Sequence, residues 1–248
     1  PWRGLAHNPA VPPPRLRVAT YNVHRCRGLD RRVRPDRTAA VIAALEADVC
    51  VLQEVLGAGP ADSGHAGLLA TALGVRGYMA PARFLREHLF GNLTLTRHAV
   101  LEHAVHDLTW QWREPRCCQR LVVEVGERRV QVFNLHLGTS LIERRSQGRA
   151  LATLVERHLD EGPMVVAGDF NEWTRGPATQ LLSSMLVSVD LAPFHTRRRS
   201  YPGVLPLLHL DHVYHSADLE VTGVQFVRTR RTLVASDHLP IVVDFGLR

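Results

Sequence analysis

Short apolar runs that end in polar residues recur along the chain and alternate with segments of helical periodicity. The runs LRVATYN (16–22) and DVCVLQEV (48–55) have the length and the apolar content of strands. Between them, the segment from Pro35 to Ala47 carries apolar residues at helical spacing, with a proline at its start. The same patterns predict a helix from Leu141 to Leu159 and strands at 92–97, 120–125, 129–136, 163–171, 210–216, 219–229 and 240–246.

The order of these elements predicts an α/β protein in which two sheets pack together with helices on the outside. Residues 1–15 are rich in proline and polar residues and are expected to form an extended lead-in to a single domain at 16–248. The 248 residues, 45% of them hydrophobic, supply enough apolar surface for one large core. No run approaches the roughly eighteen apolar residues of a membrane span, and residues 1–14 lack the apolar centre of a signal peptide.

Carboxylates, amides and imidazoles stand at the ends of six predicted strands or in the adjoining loops. A strand end is a rigid support, and several strand ends can direct their side chains into one cleft. Phosphoester hydrolysis needs such a set, because carboxylates hold a hard cation such as Mg²⁺ while a base activates water. The candidate residues are Asn22, Glu54, His136, Asp169, Asn171, Asp211, Asp237 and His238.

Each of these motifs also has a structural explanation when it is taken alone. Glu54 after an apolar run is equally typical of a solvated strand end, and GDFN (168–171) has the composition of a turn. The chain has 14 histidines, so most of them are expected to be structural. His136 and His238 differ from the others because they adjoin further polar residues at strand ends.

Taken in order, the motifs YN, QE, GN, HL, GDFN, LDH and SDHLP resemble those of the endonuclease/exonuclease/phosphatase superfamily, which has the DNase I-like fold. They extend over the chain from Leu16 to Phe245. The resemblance implies a four-layer α/β/β/α sandwich of two packed mixed sheets. It also implies a site for Mg²⁺ or Mn²⁺, with Glu54 as the main ligand, Asn22 beside it and Asp237 as a further acidic contributor.

The same resemblance implies roles for the remaining candidates. Asp169 and Asn171 would orient the attacking water and stabilise the pentacovalent phosphate. His238, held by Asp211, would be the general base or a phosphate-stabilising imidazolium. His136 would contact the phosphate or protonate the leaving oxygen.

Two further residues are assigned by the resemblance near His136. Arg116, which precedes a predicted strand, resembles a phosphate-contacting arginine, although a solvated loop arginine fits its position nearly as well. Glu87 would orient His136 as a supporting carboxylate.

The substrate hypothesis that we favour is DNA, cleaved at internal phosphodiesters with little base preference. The net charge is +6, and all 30 basic residues are arginine, a preference that coding bias explains better than phosphate binding does, although the positive charge stands with either cause. The loop Arg197–Tyr201 is expected to follow a phosphate backbone or to be an ordinary solvated loop. Members of the superfamily also cleave RNA ends, sphingomyelin, inositol phosphates and nucleotides.

The alternative is a phospholipid or inositol-phosphate esterase acting at a membrane surface. It depends on the apolar segment Val204–Leu208, whose exposure beside the cleft would favour lipid and whose burial would make it the entry to a strand. A binding module that has lost catalysis is disfavoured because no expected catalytic residue is missing. We expect a monomer without a protein partner, soluble and either cytoplasmic in a bacterium or exported.

The four cysteines do not have the spacing of a zinc site. Cys50 lies in an apolar run and is expected to be a small buried hydrophobic residue. Adjacent cysteines such as Cys117 and Cys118 rarely form a disulfide with each other. The disulfide that stays open is one between Cys26 and either of them.

Overall fold

The apolar runs of the sequence form strands that are covered on both faces, which explains their near-continuous apolar character. The computed structural model describes residues 14–173, 175–189, 200–202 and 208–247. Its strands are β1 (Arg15–Asn22), β2 (Val49–Leu56), β3 (Arg76–Leu85), β4 (His88–Thr96), β5 (Val100–Asp107), β6 (Cys117–Val125), β7 (Arg128–His136), β8 (Met164–Asp169), β9 (Val187–Ser188), β10 (Asp211–His215), β11 (Leu219–Phe226) and β12 (Ile241–Leu247). Its helices are α1 (Pro35–Ala43), α2 (Gly64–Leu73), α3 (Leu141–Arg157), α4 (Pro177–Leu182) and α5 (Arg230–Ala235), and short 3₁₀ turns cover His24–Cys26 and Leu159–Glu161.

The strands form two six-stranded mixed sheets. The first has the order β11-β12-β1-β2-β4-β3 and the second has the order β5-β6-β7-β8-β10-β9. The pairs β1–β2 and β7–β8 are parallel and lie at the centre of their sheets, whereas the other neighbours are antiparallel. The carboxyl ends of parallel neighbours meet at one edge, so each sheet brings two strand ends together.

Three apolar clusters separate the molecule into four layers. One lies between the sheets and includes Leu16, Val18 and Val132. A second joins the outer face of the first sheet, represented by Tyr21, to α1 and α2. The third joins the outer face of the second sheet, represented by Phe133, to α3 and α4. Because successive side chains of a strand face opposite sides, each central strand contributes to two clusters. The expected four-layer α/β/β/α sandwich of the DNase I-like fold is therefore confirmed.

The predicted strands and long helices correspond to observed elements with small shifts at their ends. The first helix ends at Ala43 rather than at 47, and β1 begins at Arg15, within the predicted lead-in. The sequence patterns missed α2, β3, β5, α4, β9 and α5. All four cysteines are buried and free, so Cys26 forms no disulfide. Among the described residues, no helix combines the length and the apolar character needed to cross a membrane.

Candidate active site

His136, Asp169 and Asp211 lie in one row across three neighbouring strands of the second sheet. The strand register places His136 opposite Asp169 and Asp169 opposite Asp211. Asn22, at the end of β1 in the first sheet, donates from Nδ2 to Oδ2 of Asp169 at 3.0 Å. All four residues are buried. Burial raises the pKa of Asp169 to about 6 against the lowering effect of the nearby His238.

His238 enters the row from the loop between α5 and β12. Its Nδ1 lies 2.9 Å from Oδ2 of Asp211, and its Nε2 lies 3.7 Å from Oδ2 of Asp169. The Ser200 hydroxyl donates to the same Asp211 oxygen at 2.5 Å, and the Tyr201 ring lies 4.9 Å from the imidazole, centre to centre. Burial lowers the pKa of His238, but the carboxylates of Asp211 and Asp169 outweigh it and raise the pKa to about 10. The ring is therefore an imidazolium at neutral pH.

His136, in contrast, is neutral, because it is buried and lies beside a cation. Nη1 of Arg116 lies 2.9 Å from Nδ1 of the ring. A guanidinium has only donors, so Nδ1 is the acceptor and the ring proton is on Nε2. Nε2 lies 3.6 Å from Oδ2 of Asp169. Burial, followed by Arg116 and His238, holds the pKa of His136 well below its usual value, so the ring is neutral and donates through Nε2–H.

Glu87 does not support His136, and this expectation was wrong. Glu87 lies in the exposed turn between β3 and β4, where its φ is +66°. On its Nδ1 side, His136 is linked to the carboxylate of Glu114 through Arg116. Oε2 of Glu114 accepts from Arg116 at 2.8 Å, and its Oε1 accepts from Arg83 at 2.8 Å. Sequence spacing missed Glu114 because the contact depends on a loop that returns to the edge of the first sheet.

Glu54 and Asp237 carry the more accessible carboxylates of the site, with exposed side-chain fractions of 25% and 24%. Asn22 connects Glu54 to the central row, because its Nδ2 also lies 3.4 Å from Oε1 of Glu54. His24 Nδ1 lies 3.1 Å from Asp237, and Arg25 Nε lies 3.8 Å from Glu54. His24 and Arg25 are thus functional candidates that the sequence analysis missed.

Two candidate residues adopt left-handed backbone conformations that non-glycine residues rarely adopt. Glu54 has a φ of +57° and lies where the register between β2 and β4 shifts, and Asn171 has a φ of +52°. Each such conformation costs about 1–3 kcal/mol and persists where the surroundings enforce it. The backbone N–H of Asn171 donates to Asp169 at 3.0 Å, and its Nδ2 donates to the Leu137 carbonyl at 2.9 Å. Such strain is typical of functional sites.

A layer of buried amides supports the site from between the sheets. Nε2 of Gln53 in β2 donates to Oδ1 of Asn134 in β7 at 2.9 Å. Asn134 in turn donates to the carbonyls of Leu52 and Leu93, and Thr94 donates to Gln119 at 2.7 Å. These bonds connect the two sheets directly beneath Asn22 and His136, so they fix the strand ends relative to each other.

Two sets of residues are candidates for holding a divalent metal. Asp169, Asp211 and His238 offer ligand atoms within 4.8 Å of one another, but Asp211 and His238 are hydrogen-bonded to each other. Glu54 and Asp237 also have partners, Asn22 for Glu54 and His24 for Asp237, but their side chains are more accessible, and their carboxylate oxygens suit a hard cation that keeps several waters. The oxygen donors of Glu54 and Asp237 therefore fit a hard divalent cation.

Parts of two loops named in the sequence analysis lie outside the described residues. Of the loop Arg197–Tyr201, the structure describes Ser200 and Tyr201. Of the apolar segment Val204–Leu208 it describes Leu208, which is half-buried. Whether the segment is exposed beside the cleft, as a lipid substrate would favour, is therefore not tested.

The chain belongs to the endonuclease/exonuclease/phosphatase family, whose model matches residues 19–238. It is a phosphoric ester hydrolase. The family is commonly dependent on a divalent metal, which agrees with the buried group of acidic and histidine side chains.

Individual proteins are similar to this chain in sequence or in fold. The chain is 30% identical to the uncharacterized protein YbhP of Escherichia coli (strain K12), over 94% of this chain and 96% of that protein. Its fold is similar to that of the mannosyl-6-phosphatase of Bacteroides thetaiotaomicron, with a TM-score of 0.76, 18% identity and coverage of 94% and 100% of the two chains. It is also similar to the human nocturnin catalytic domain, with a TM-score of 0.77, 20% identity and coverage of 96% and 97%.

Proposed function

We propose that the chain is a divalent-metal-dependent phosphodiesterase that cleaves internal phosphodiester bonds of DNA with little base preference. The observation that carries the proposal is the convergence on one oxygen, Oδ2 of Asp169. Nδ2 of Asn22 lies 3.0 Å from it, Nε2 of His136 lies 3.6 Å from it and Nε2 of His238 lies 3.7 Å from it. These three nitrogen groups already surround one anionic oxygen. The same groups suit an anionic phosphate, because its non-bridging oxygens accept hydrogen bonds from N–H donors.

The two histidines differ in their roles under this proposal. His238, which Asp211 keeps protonated, donates to a phosphate oxygen and stabilises the negative charge that develops during attack. Neutral His136 donates through Nε2–H to the same phosphate. Its low pKa makes it a poor proton source for the leaving oxygen. Asn171 uses one hydrogen of its amide for Leu137, which leaves the second for the phosphate.

Asp169 accepts the proton of the attacking water. Its raised pKa makes it a stronger base than an exposed carboxylate, which suits this role. Glu54 and Asp237 would hold the metal, with Asn22 orienting Glu54 through its amide. When bound, the metal supplies charge neutralisation at the phosphate. Removing Glu54 is therefore expected to affect metal binding, whereas removing Asp169 is expected to affect proton transfer.

DNA is favoured over a neutral or cationic substrate by charge. The net charge is +6, and Arg25 and Arg116 stand on either side of the central row, next to Glu54 and His136.

The test is nicking of supercoiled plasmid with Mg²⁺ or Mn²⁺, with EDTA and the His238→Ala variant as controls. Metal-dependent nicking that the variant loses supports the proposal. No nicking by a wild-type protein that turns over a simple diester contradicts DNA as the substrate.

One observation favours a second candidate, an esterase that acts on phospholipids. Leu141, Ile142 and Trp173 have exposed fractions of 62%, 64% and 55%, and they line a cavity of about 610 Å³ with Arg145 and Arg175. Trp173 lies two residues after Asn171, so this surface adjoins the site. Apolar side chains flanked by arginines suit an anionic lipid surface.

Sedimentation with phosphatidylglycerol vesicles tests this second candidate. Binding that Leu141→Asp together with Ile142→Asp abolishes, accompanied by hydrolysis of the lipid, would favour it over DNA. A wild-type protein that stays in the supernatant at low salt would exclude it.

A further inference from the structure

A second cavity, lined by four arginines, adjoins the candidate active site on the side of Glu54. Its volume is about 540 Å³, within the range of small-molecule sites. We call it the arginine cavity, and it is lined by Arg25, Arg27, Arg31, Val33, Leu56, His65, Leu85, Arg86 and His88. No carboxylate is among the described residues that line it. The cavity is therefore basic, with an apolar part formed by valine and leucine side chains.

The arginines are held by ordered backbone rather than by free loops. Residues 26–34 form a closed loop in which the Arg34 N–H donates to the Cys26 carbonyl at 2.9 Å, and Arg27 and Val33 form a β-bridge. This loop carries Arg27 and Arg31. Arg86 lies in the tight turn between β3 and β4, with a φ of +48°. The cavity thus lies between the 26–34 loop and the β3–β4 turn, and both segments contribute arginines to its lining.

The positive charge of the cavity is only partly neutralised. In the described part of the chain, the side chains of Arg27, Arg31 and Arg86 have no hydrogen bond and no ion pair. Acidic groups outside the lining pair with two other lining residues, because Asp62 pairs with His88 at 3.1 Å and Glu54 lies 3.8 Å from Arg25. Asp30, which lies in the same loop as Arg27 and Arg31, pairs with Arg37 at 2.8 Å. Three guanidinium groups without an ion-pair partner therefore line one cavity, and a bound anion would supply the missing counter-charge.

Arg25 connects the arginine cavity to the active site. It lines the cavity, and its Nε lies 3.8 Å from Oε2 of Glu54, while its Nη2 lies 2.7 Å from Nε2 of His24. His24, Arg25 and Cys26 all have positive φ values, of 45°, 58° and 55°. A run of three left-handed non-glycine residues is unfavourable, and it turns Arg25 towards both places. Arg25 is therefore shared by the cavity and the Glu54 end of the candidate active site.

We propose that the arginine cavity binds a second, non-reacting phosphate of the nucleic-acid strand whose scissile phosphate lies at Asp169 and His238. This inference rests on the proposed function and specifies its substrate as a strand with several phosphates rather than an isolated diester. Guanidinium groups bind phosphate oxygens through paired donors. Leu56 and Leu85 cover the sugar or base that follows this phosphate.

The first test compares thymidine dinucleotide, which has one phosphate, with the tetranucleotide, which has three. The wild-type protein is expected to have a higher kcat/KM for the tetranucleotide. In the combined variant Arg27→Ala, Arg31→Ala, Arg86→Ala, the ratio of the two kcat/KM values is expected to fall about tenfold, mainly through KM. An unchanged ratio in a variant that hydrolyses the dinucleotide overturns the inference.

A matched control separates the cavity from net charge. Arg128, Arg149 and Arg157 are exposed and lie at the start of β7 and on α3. Changing these three to alanine removes the same charge, and the kcat/KM ratio is expected to stay within about twofold of wild type. An equal fall of the ratio in both triple variants assigns the effect to charge alone and contradicts the cavity. Thermal unfolding verifies that both variants are folded.

A binding measurement keeps the inference testable if hydrolysis fails. The fluorescence anisotropy of labelled thymidine octanucleotide is measured with metal-free protein over a range of salt concentrations. We expect the cavity variant to bind at least about tenfold more weakly than the control variant, with a salt slope lower by about 0.7 or more. Equal affinities and slopes overturn the inference. Failure of the wild type to hydrolyse any phosphodiester contradicts the proposed function instead, independently of this result.

Discussion

Oδ2 of Asp211 lies 2.9 Å from Nδ1 of His238, and the same oxygen accepts a hydrogen bond from Ser200 at 2.5 Å. Asp211 and His238 are both buried, and Asp211 is fully inaccessible to solvent. A single carboxylate oxygen thus sets the orientation of the ring and keeps it protonated. The Nε2 of that ring is the part that faces Asp169. The pair therefore has consequences for stability as well as for activity.

Replacing Asp211 with asparagine is expected to lower both the stability and the activity of the protein. The buried imidazolium loses its counter-charge, which costs about 3 kcal/mol in the free energy of unfolding. The ring then loses its proton, and kcat falls on the order of 10³-fold because phosphate stabilisation is lost. Chemical denaturation and turnover of bis(p-nitrophenyl) phosphate measure the two effects. Ser200→Ala, the control, removes only the second hydrogen bond and costs about 1 kcal/mol. A variant Asp211→Asn with wild-type kcat contradicts the role of the pair.

The stability that His238 contributes depends on pH in a defined direction. Its pKa in the folded protein is raised to about 10 from an ordinary value of 6.5. The folded state therefore binds the proton more tightly than the unfolded state does, and this contribution is complete below pH 6.5. It is lost as the pH rises through 10. In metal-free protein, the difference in unfolding free energy between wild type and His238→Gln is expected to shrink from pH 6.5 to pH 10. A constant or growing difference would disprove the assigned charge state.

Arg116 is expected to act through the tautomer of His136. Arg116→Ala removes the donor to Nδ1, so the ring proton is free to move to Nδ1 and Nε2 loses its donor function. We expect kcat to fall about 10²-fold. Arg116→Lys keeps the charge and is expected to recover part of the loss. The nitrogen chemical shifts of the ring report the tautomer independently of activity. A wild-type tautomer in Arg116→Ala would refute this assignment.

Glu54 is expected to determine metal affinity rather than the chemical step. Glu54→Gln keeps the size of the side chain but removes a charged oxygen ligand, so Mn²⁺ binding is expected to weaken at least about tenfold. Titration calorimetry with Mn²⁺ measures this directly. At saturating metal, kcat is expected to recover towards the wild-type value. Glu114→Gln is the matched control, because it makes the same change in a carboxylate that binds Arg83 and Arg116 and is not among the proposed ligands. Equal weakening in both variants would argue against Glu54 as a ligand.

The fold was predictable where the sequence has strong patterns. The runs that form β1, β2, β7 and β8 are apolar for several residues and end in polar residues, so both their strand character and the site edge were evident. The strands β3 and β5 were missed because they lie at sheet edges and are largely exposed, which mixes polar and apolar residues. The helix α2 was missed because small residues obscure its periodicity, and α5 has only six residues.

The candidate site was predictable as a set of residues but not as a network. The polar strand ends were visible in the sequence, and the family resemblance supplied their roles. The contacts of His24 with Asp237 and of Ser200 with Asp211 were not predictable, because they join segments brought together only by folding. The family resemblance assigned Glu87 to His136, whereas the structure links Glu114 to His136 through Arg116. Spacing along the chain does not fix which loop reaches a strand end.

The most direct test of the account is hydrolysis of bis(p-nitrophenyl) phosphate by wild-type protein and Asp169→Asn, each with Mn²⁺ and with EDTA. The account predicts turnover that requires the metal and that Asp169→Asn lowers on the order of 10³-fold while the variant stays folded. Turnover that persists in EDTA, or that Asp169→Asn retains at the wild-type rate, would contradict the proposed active site.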